Sequence, residues 1–166
     1  PEFIDSLFDS PHELSQLRRI AREKNFPEVM QLFLDLPPKK RAAEDWESPE
    51  DPALKDLPIG HRKSLAKTQN LTLLKKLLRE QNPSVIRTLL MNPRLTESDV
   101  LRVASLKPTS PAILEEVFSH SKWIARYRVK KALVLNPYCP PAIALHLLKF
   151  MLVSDLQVTA QDENLH

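Results

Sequence analysis

Residues 89–104 read LLMNPRLTESDVLRVA, and residues 133–148 read LVLNPYCPPAIALHLL. In each, an Asn-Pro pair follows one apolar run and precedes a helix start and a second apolar run, at an interval of 44 residues. At that offset Val85, Leu89, Asn92, Pro93, Thr96 and Val100 fall on Val129, Leu133, Asn136, Pro137, Pro140 and Ala144, and Arg87 falls on Lys131. A looser match at 38–39 residues places Ala66, Leu74 and Leu78 on Ala104, Ile113 and Val117. One unit is therefore roughly 40–44 residues of about three short helices, and a period of that size predicts a helical solenoid. Asn tolerates the left-handed geometry that ends a helix, and Pro then blocks continuation, so Asn-Pro reads as punctuation between stacked helices.

Composition agrees with an all-α chain. One glycine stands against 15 prolines. Hairpin turns draw on glycine for positive φ, whereas proline suits helix starts and the positions just past helix ends. Helices are expected at about 60–68, 71–80, 83–91, 97–106, 111–119, 122–135 and 141–153, with caps at Asn70, Asn82, Thr96 (with Asp99), Ser110 and Ser121. Ser10, Pro11 and Glu13 open an earlier helix, and PEVMQLFLDL, ending at Leu36, follows as its partner. Four parts result: a helical hairpin over 1–36, an acidic Pro-rich strap over 37–57, a repeat domain over 58–155 and a tail over 156–166. Trp46 within the strap reads as an anchor against a neighbouring surface.

Several chemistries are excluded by the same composition. Gly60 stands alone, so neither a dinucleotide fingerprint nor a P-loop can be written. Cys139 is the single cysteine, which removes an internal disulfide, a Cys-rich zinc site and a single-chain Fe–S cluster. The five histidines are scattered, with no HExxH and no triad companion. Cys139, between Tyr138 and Pro140, reads as a small filler rather than a nucleophile. The expectation is a non-enzyme without cofactor or metal. No signal peptide is legible, and Ala142–Val153 is too short and too charged to span a bilayer, so a reducing, cytoplasmic setting is expected.

Charge divides unevenly. Residues 1–57 carry 8 Lys/Arg against 13 Asp/Glu, and residues 58–166 carry 16 against 8. The resulting −5 and +8 point to an acidic partner for the C-terminal part, to attraction between the two parts, or to solvated helix faces. The strongest local signal is SKWIARYRVKKALVLNP. Lys122, Arg126 and Lys130 are spaced four apart and would share one face of a single helix, flanked by Trp123 and Tyr127. Basic residues beside aromatics can neutralise phosphates and stack on bases. Core packing competes with that role for the two aromatics. Lys75, Lys76, Arg79, Arg87, Arg94 and Arg102 extend the basic surface if the fold brings them to one side. The candidate partner-binding residues are Arg87, Arg94, Lys122, Trp123, Arg126, Tyr127 and Lys130.

The stretches NPRLTESDVLRVA and VKKALVLNPYCPPAIALHLL resemble the bacterial leucine-rich repeat variant and related HEAT-like repeats, over about residues 60–153. The resemblance implies a short right-handed α-solenoid with an adaptor or scaffold role. An Fe–S cluster held at an N-terminal Cys cluster in some members does not carry over, because that cluster is lacking here. HEAT-like alkylpurine DNA glycosylases are enzymes on a similar architecture, but no matching motif surrounds Trp123 and Arg126. The expected function is thus a protein–protein interaction module that binds an acidic surface, helix or peptide. Nucleic-acid binding by the same surface is the alternative, and DNA-base repair a remote third.

Overall fold

The structure, a computed structural model, describes residues 38–40, 51–162 and 165. The expected N-terminal hairpin and most of the strap, Trp46 included, lie outside the described residues. Among the described residues the chain is all-helical, with ten helices and no strand. They are α1 (Pro52–Lys55), α2 (Ile59–Ala66), α3 (Leu71–Leu77), α4 (Pro83–Leu90) and α5 (Glu97–Ala104), then α6 (Pro111–Ser119), α7 (Ser121–Ile124), α8 (Tyr127–Val134), α9 (Pro141–Leu148) and α10 (Val153–Ala160).

Most helix starts follow from local chemistry. The Asn70 side chain accepts the backbone N–H groups of Thr72 and Leu73, and Asn82 accepts those of Ser84 and Val85, with Pro83 at the first helical position. Thr96 and Asp99 form a reciprocal capping box. Two expected caps differ. Ser110 stands at the cap position but makes no side-chain cap bond, and Ser121 is already helical, with His120 ahead of it. The end of the strap is also helical: Asp51 caps α1 by accepting Ala53 N–H, and Leu54 is buried.

One continuous core runs from Leu54 to Met151. Helix α4 packs on α2 and α6, while α8 packs on α5 and α9. The largest fully buried side chains include Leu77, Ile86, Leu89, Ile113, Leu114, Leu133 and Ile143. Each contributes about 2 kcal/mol of burial relative to exposure. One charged pair is buried with them: Arg62 Nη1 donates to Glu80 at 2.8 and 2.9 Å, and Glu80 also accepts the backbone N–H groups of Gln81 and Asn82. A carboxylate so fully bonded is tolerated in the core, whereas an unpaired one would not be.

Helix C-termini are where the shortage of glycine has a visible consequence. The last carbonyls of a helix lack intrahelical partners, and a left-handed glycine commonly brings backbone N–H groups round to them. Here side chains from elsewhere in the chain do that work. Asn92 Nδ2 donates to the carbonyls of Ala66 and Thr68, both at 2.8 Å, closing the end of α2. Asn136 Nδ2 donates to Ala104 and Leu106 at 2.8 and 3.1 Å, closing the end of α5. Trp123 Nε1 donates to Leu90 O at 2.9 Å at the end of α4, and Lys107 Nζ to Leu135 O at 3.0 Å after α8.

The two Asn clasps are copies of each other. Each Asn Oδ1 also accepts the backbone N–H two residues on, from Arg94 and from Tyr138. The donors are 44 residues apart and the clasped carbonyls 38. The difference of six residues accumulates in three steps of two: a longer connection before α6 than before α3, a longer α6 than α3, and a longer connection after it, which holds α7. Ion pairs recur as well. Arg87 of α4 pairs with Glu116 of α6, and Lys131 of α8 pairs with Asp155 of α10.

Two expected helices are broken. The stretch 122–135 is not one helix, because Arg126 has extended backbone (φ −80°, ψ 124°) between α7 and α8. At about 100° per residue an unbroken helix would turn Trp123 far from the Val129 and Leu133 face. The break lets all three be buried. The stretch 141–153 stops at Leu148, and α10 begins at Val153 within what reads from sequence as the run to the tail. Tyr127 Oη accepts the Leu152 N–H at 3.1 Å and donates to Asp155, which lies in the first turn of α10. A carboxylate there also faces the positive end of the helix dipole.

Candidate functional site

A cleft of about 940 Å³ opens between α3 and α5. Lys75 and Lys76 come from the last turn of α3 and Arg79 from just beyond it. Arg102 comes from the last turn of α5, and Lys107 from the loop that follows. Asp51 is the one carboxylate among the described residues of the lining, and Lys76 takes it up at 3.0 Å. That pair holds the Asp51 carboxyl below the usual carboxylate range, through the Lys76 hydrogen bond first and the Ala53 N–H second. Lys75, Arg79 and Arg102 are exposed and form no ion pair with a described residue.

Cations in the last turn of a helix are favoured by its dipole, which explains part of this cluster. Two helix C-termini supply only about one negative charge between them, and Asp51 one more. Among the described residues, five cations therefore leave the cleft positive. Thr72 and Ser105 add hydroxyl groups, while Leu78, Leu106 and Pro52 add apolar surface. Among the described residues no aromatic ring lines it. A concave surface of this kind recognises carboxylate or phosphate groups and has no platform for base stacking.

The residues singled out from sequence are dispersed. Arg87 is held by a forked pair to Glu116 at 2.6 and 2.8 Å, which raises its pKa further. Arg94 sits on the turn after Asn92, its guanidinium 3.5 Å from Gln69. The Lys122 ammonium lies 4.0 Å from the centre of the Trp123 ring. Arg126 is exposed at the break before α8. Trp123 is 2% exposed and bonded to Leu90, so its ring belongs to the core and is no contact surface. Tyr127 is bonded to Asp155 and raised in pKa by that bond, while Lys131 and Tyr127 together hold Asp155 low. Lys122, Arg126 and Lys130 do not form a stripe along one helix, because the helix ends between the first two.

Arg79, Arg102, Lys75 and Lys76 are brought together as the sequence allowed. Lys107 was missed, since a lysine before a proline in a loop carries no periodic signal. A second, smaller cleft of about 350 Å³ was missed too, lined by Phe118, Ser121, Ile124, Ala125, Lys130, His146, Leu147 and Phe150. Burial pushes the His146 pKa below its usual value, with the Lys149 charge adding to the effect, so the ring is neutral at pH 7. The signal that could have found this cleft was the 44-residue offset, which sets His146 on Arg102 and Phe150 on Leu106.

Cys139 is fully buried, and burial pushes its thiol up to about 12. A thiol so protonated and enclosed does not act as a nucleophile. Native protein should leave a maleimide or dithiobis-type reagent unreacted at about pH 8 and react only in denaturant; prompt labelling of the folded chain would contradict the burial. Among the described residues no group of three or more His, Cys, Asp or Glu side chains could hold a metal ion. None of the described helices is long and apolar enough to cross a membrane.

Comparison of the chain with protein-family models, curated proteins and solved structures finds no match.

Proposed function

We propose that this chain is a non-catalytic interaction module, a short α-solenoid of HEAT-like or leucine-rich-variant type, that binds an acidic segment of another protein in the α3–α5 cleft. The observation that carries the reading is the cleft itself: Lys75, Arg79 and Arg102 converge on it without an ion-pair partner among the described residues. The solenoid reading is supported by the recurrence of the Asn clasp and of the α4–α6 ion pair in α8–α10. Successive units that share a core through such contacts are how helical repeats bury faces no unit can bury alone. Electrostatics then steers the encounter, and the groove's aliphatic residues pack the partner's backbone and side chains.

An acidic protein segment is favoured over nucleic acid because, among the described residues, the cleft offers aliphatic contacts and no ring on which to stack a base. The test uses fluorescein-labelled hexaglutamate, single-stranded DNA and duplex DNA, each titrated at low and physiological salt. Hexaglutamate should bind at low salt, and the Arg79→Glu/Arg102→Glu variant should weaken it at least about tenfold, since each lost charge contact is worth about 1 kcal/mol or more. Failure of hexaglutamate to bind at low salt would overturn the proposal. Tighter binding of either DNA, lost in the same variant, would replace it with the nucleic-acid reading.

A further inference from the structure

We infer that the α6–α9 cleft is a second station of the same groove, built to take an apolar anchor side chain flanked by a carboxylate on the same partner segment. The acidic nature of that segment rests on the function proposed above, whereas the apolar anchor follows from this second cleft alone.

Register links the two clefts. Arg102 and Leu106 line the first, and the residues 44 positions on, His146 and Phe150, line the second. Arg79 lines the first, and Phe118, 39 positions on, lines the second. The 44-residue offset is the one that relates Asn92 to Asn136, and the 39-residue offset lies one residue from the 38 between the clasped carbonyls, so both clefts hold closely similar places in successive units. What changes is the chemistry. Two guanidiniums give way to an aromatic ring and a neutral imidazole, and a leucine gives way to a phenylalanine.

The rings form a continuous floor. Phe118 meets His146 edge-on at 5.7 Å, and His146 meets Phe150 at 5.8 Å. Phe150 remains 47% exposed, an unusual loss of apolar burial for a ring beside a core. Over that ring stand two ammonium groups, Lys130 at 4.6 Å and Lys149 at 5.2 Å, and neither has a carboxylate partner among the described residues. An apolar floor under unpaired cations fits an apolar side chain with an adjacent carboxylate, which would pair with Lys130 or Lys149 as the anchor covers the rings. At about 350 Å³ the cleft holds one or two side chains, at the small end of ligand sites. Units stacked at roughly 10–20 Å place the stations three to six extended residues apart.

The test compares hexaglutamate with hexaglutamate carrying a tetraserine spacer and a terminal phenylalanine–glutamate pair, the extension placed at either end. The better of the two extended peptides should bind about tenfold tighter than hexaglutamate, the gain expected for burying one aromatic side chain. Phe150→Ala and Lys130→Ala should each remove most of that gain and leave hexaglutamate affinity unchanged. Phe150 is exposed and Lys130 half-buried, and a thermal midpoint like that of the parent checks that the variants fold. No gain in either orientation, or a gain that survives Phe150→Ala, overturns the inference. A Phe150-dependent gain together with loss of the Arg79 and Arg102 effect would keep this station and overturn the basic cleft instead.

Discussion

Asn136→Asp is expected to cost about 4 kcal/mol at pH 7, more than Asn136→Ala at about 3 kcal/mol, although the aspartate is nearly isosteric. Asn136 is fully buried, and its amide donates to two carbonyls at the end of α5 while its oxygen accepts the Tyr138 N–H. Alanine leaves those two carbonyls and one N–H short of partners, at about 1–3 kcal/mol for each group that stays dry. A carboxylate keeps the Tyr138 bond but points negative charge at two carbonyl oxygens, and the neighbouring Lys107 ammonium is already engaged with Leu135 O.

The pH dependence separates the mechanisms. Burial and the two carbonyls would raise the folded pKa of the introduced carboxyl above its unfolded value of about 3.9. A raised folded pKa means the native state binds the extra proton more tightly, so the variant loses stability as pH rises through that value. Asn136→Asp should therefore gain on the parent between about pH 7 and pH 4.5, where the neutral acid can donate one bond. Thermal unfolding followed by circular dichroism reads both effects, with a fall of roughly 10 °C or more at pH 7 for a domain of this size. Were Asn136 only a helix stop, Asp would serve nearly as well, and a change below about 1 kcal/mol with no pH dependence would establish that instead.

Trp123→Ala is expected to cost about 3–5 kcal/mol, and Trp123→Phe about 1–3 kcal/mol. The indole is 2% exposed and its N–H closes the end of α4 at Leu90 O. Alanine removes the packing and the bond together; phenylalanine keeps most of the packing and removes the bond. Denaturant unfolding measures the difference. Hexaglutamate affinity of Trp123→Phe, measured well below its midpoint, should equal that of the parent. A selective loss of binding with stability intact would restore this ring to a contact role and displace it from the core.

Much of the architecture was legible because helix starts are local. Asn70, Asn82 and the Thr96–Asp99 box act within three residues of themselves, so a linear reading finds them. The periodic apolar positions Val85, Leu89, Val129 and Leu133 were legible for the same reason, and all four are buried. Helix interruptions were harder. Nothing in SKWIARYRVKK marks a stop at Arg126, since the break answers to the burial of both Trp123 and Val129, which an unbroken helix would set on different sides. The basic site was half legible: its residue types were plain, but the cations that share a cleft come from α3 and α5, and Lys107 arrives from a loop.

By itself the sequence determined the helical class, most of the helix starts and the interval at which similar segments return, because each depends on residue type and short spacing. One glycine in 166 residues also implied that helix ends would need partners other than glycine caps. The tertiary structure alone decided who those partners are: Asn92 and Asn136 reach back to carbonyls 24–32 residues earlier, which turns an apparent stop signal into a clasp between helices. It also decided which cations remain without an ion-pair partner among the described residues. Arg87 and Lys131 are taken by carboxylates on α6 and α10, while Lys75, Arg79 and Arg102 are left facing one cleft. Pairing of charges across helices is a matter of approach in space, and spacing along the chain carries no record of it.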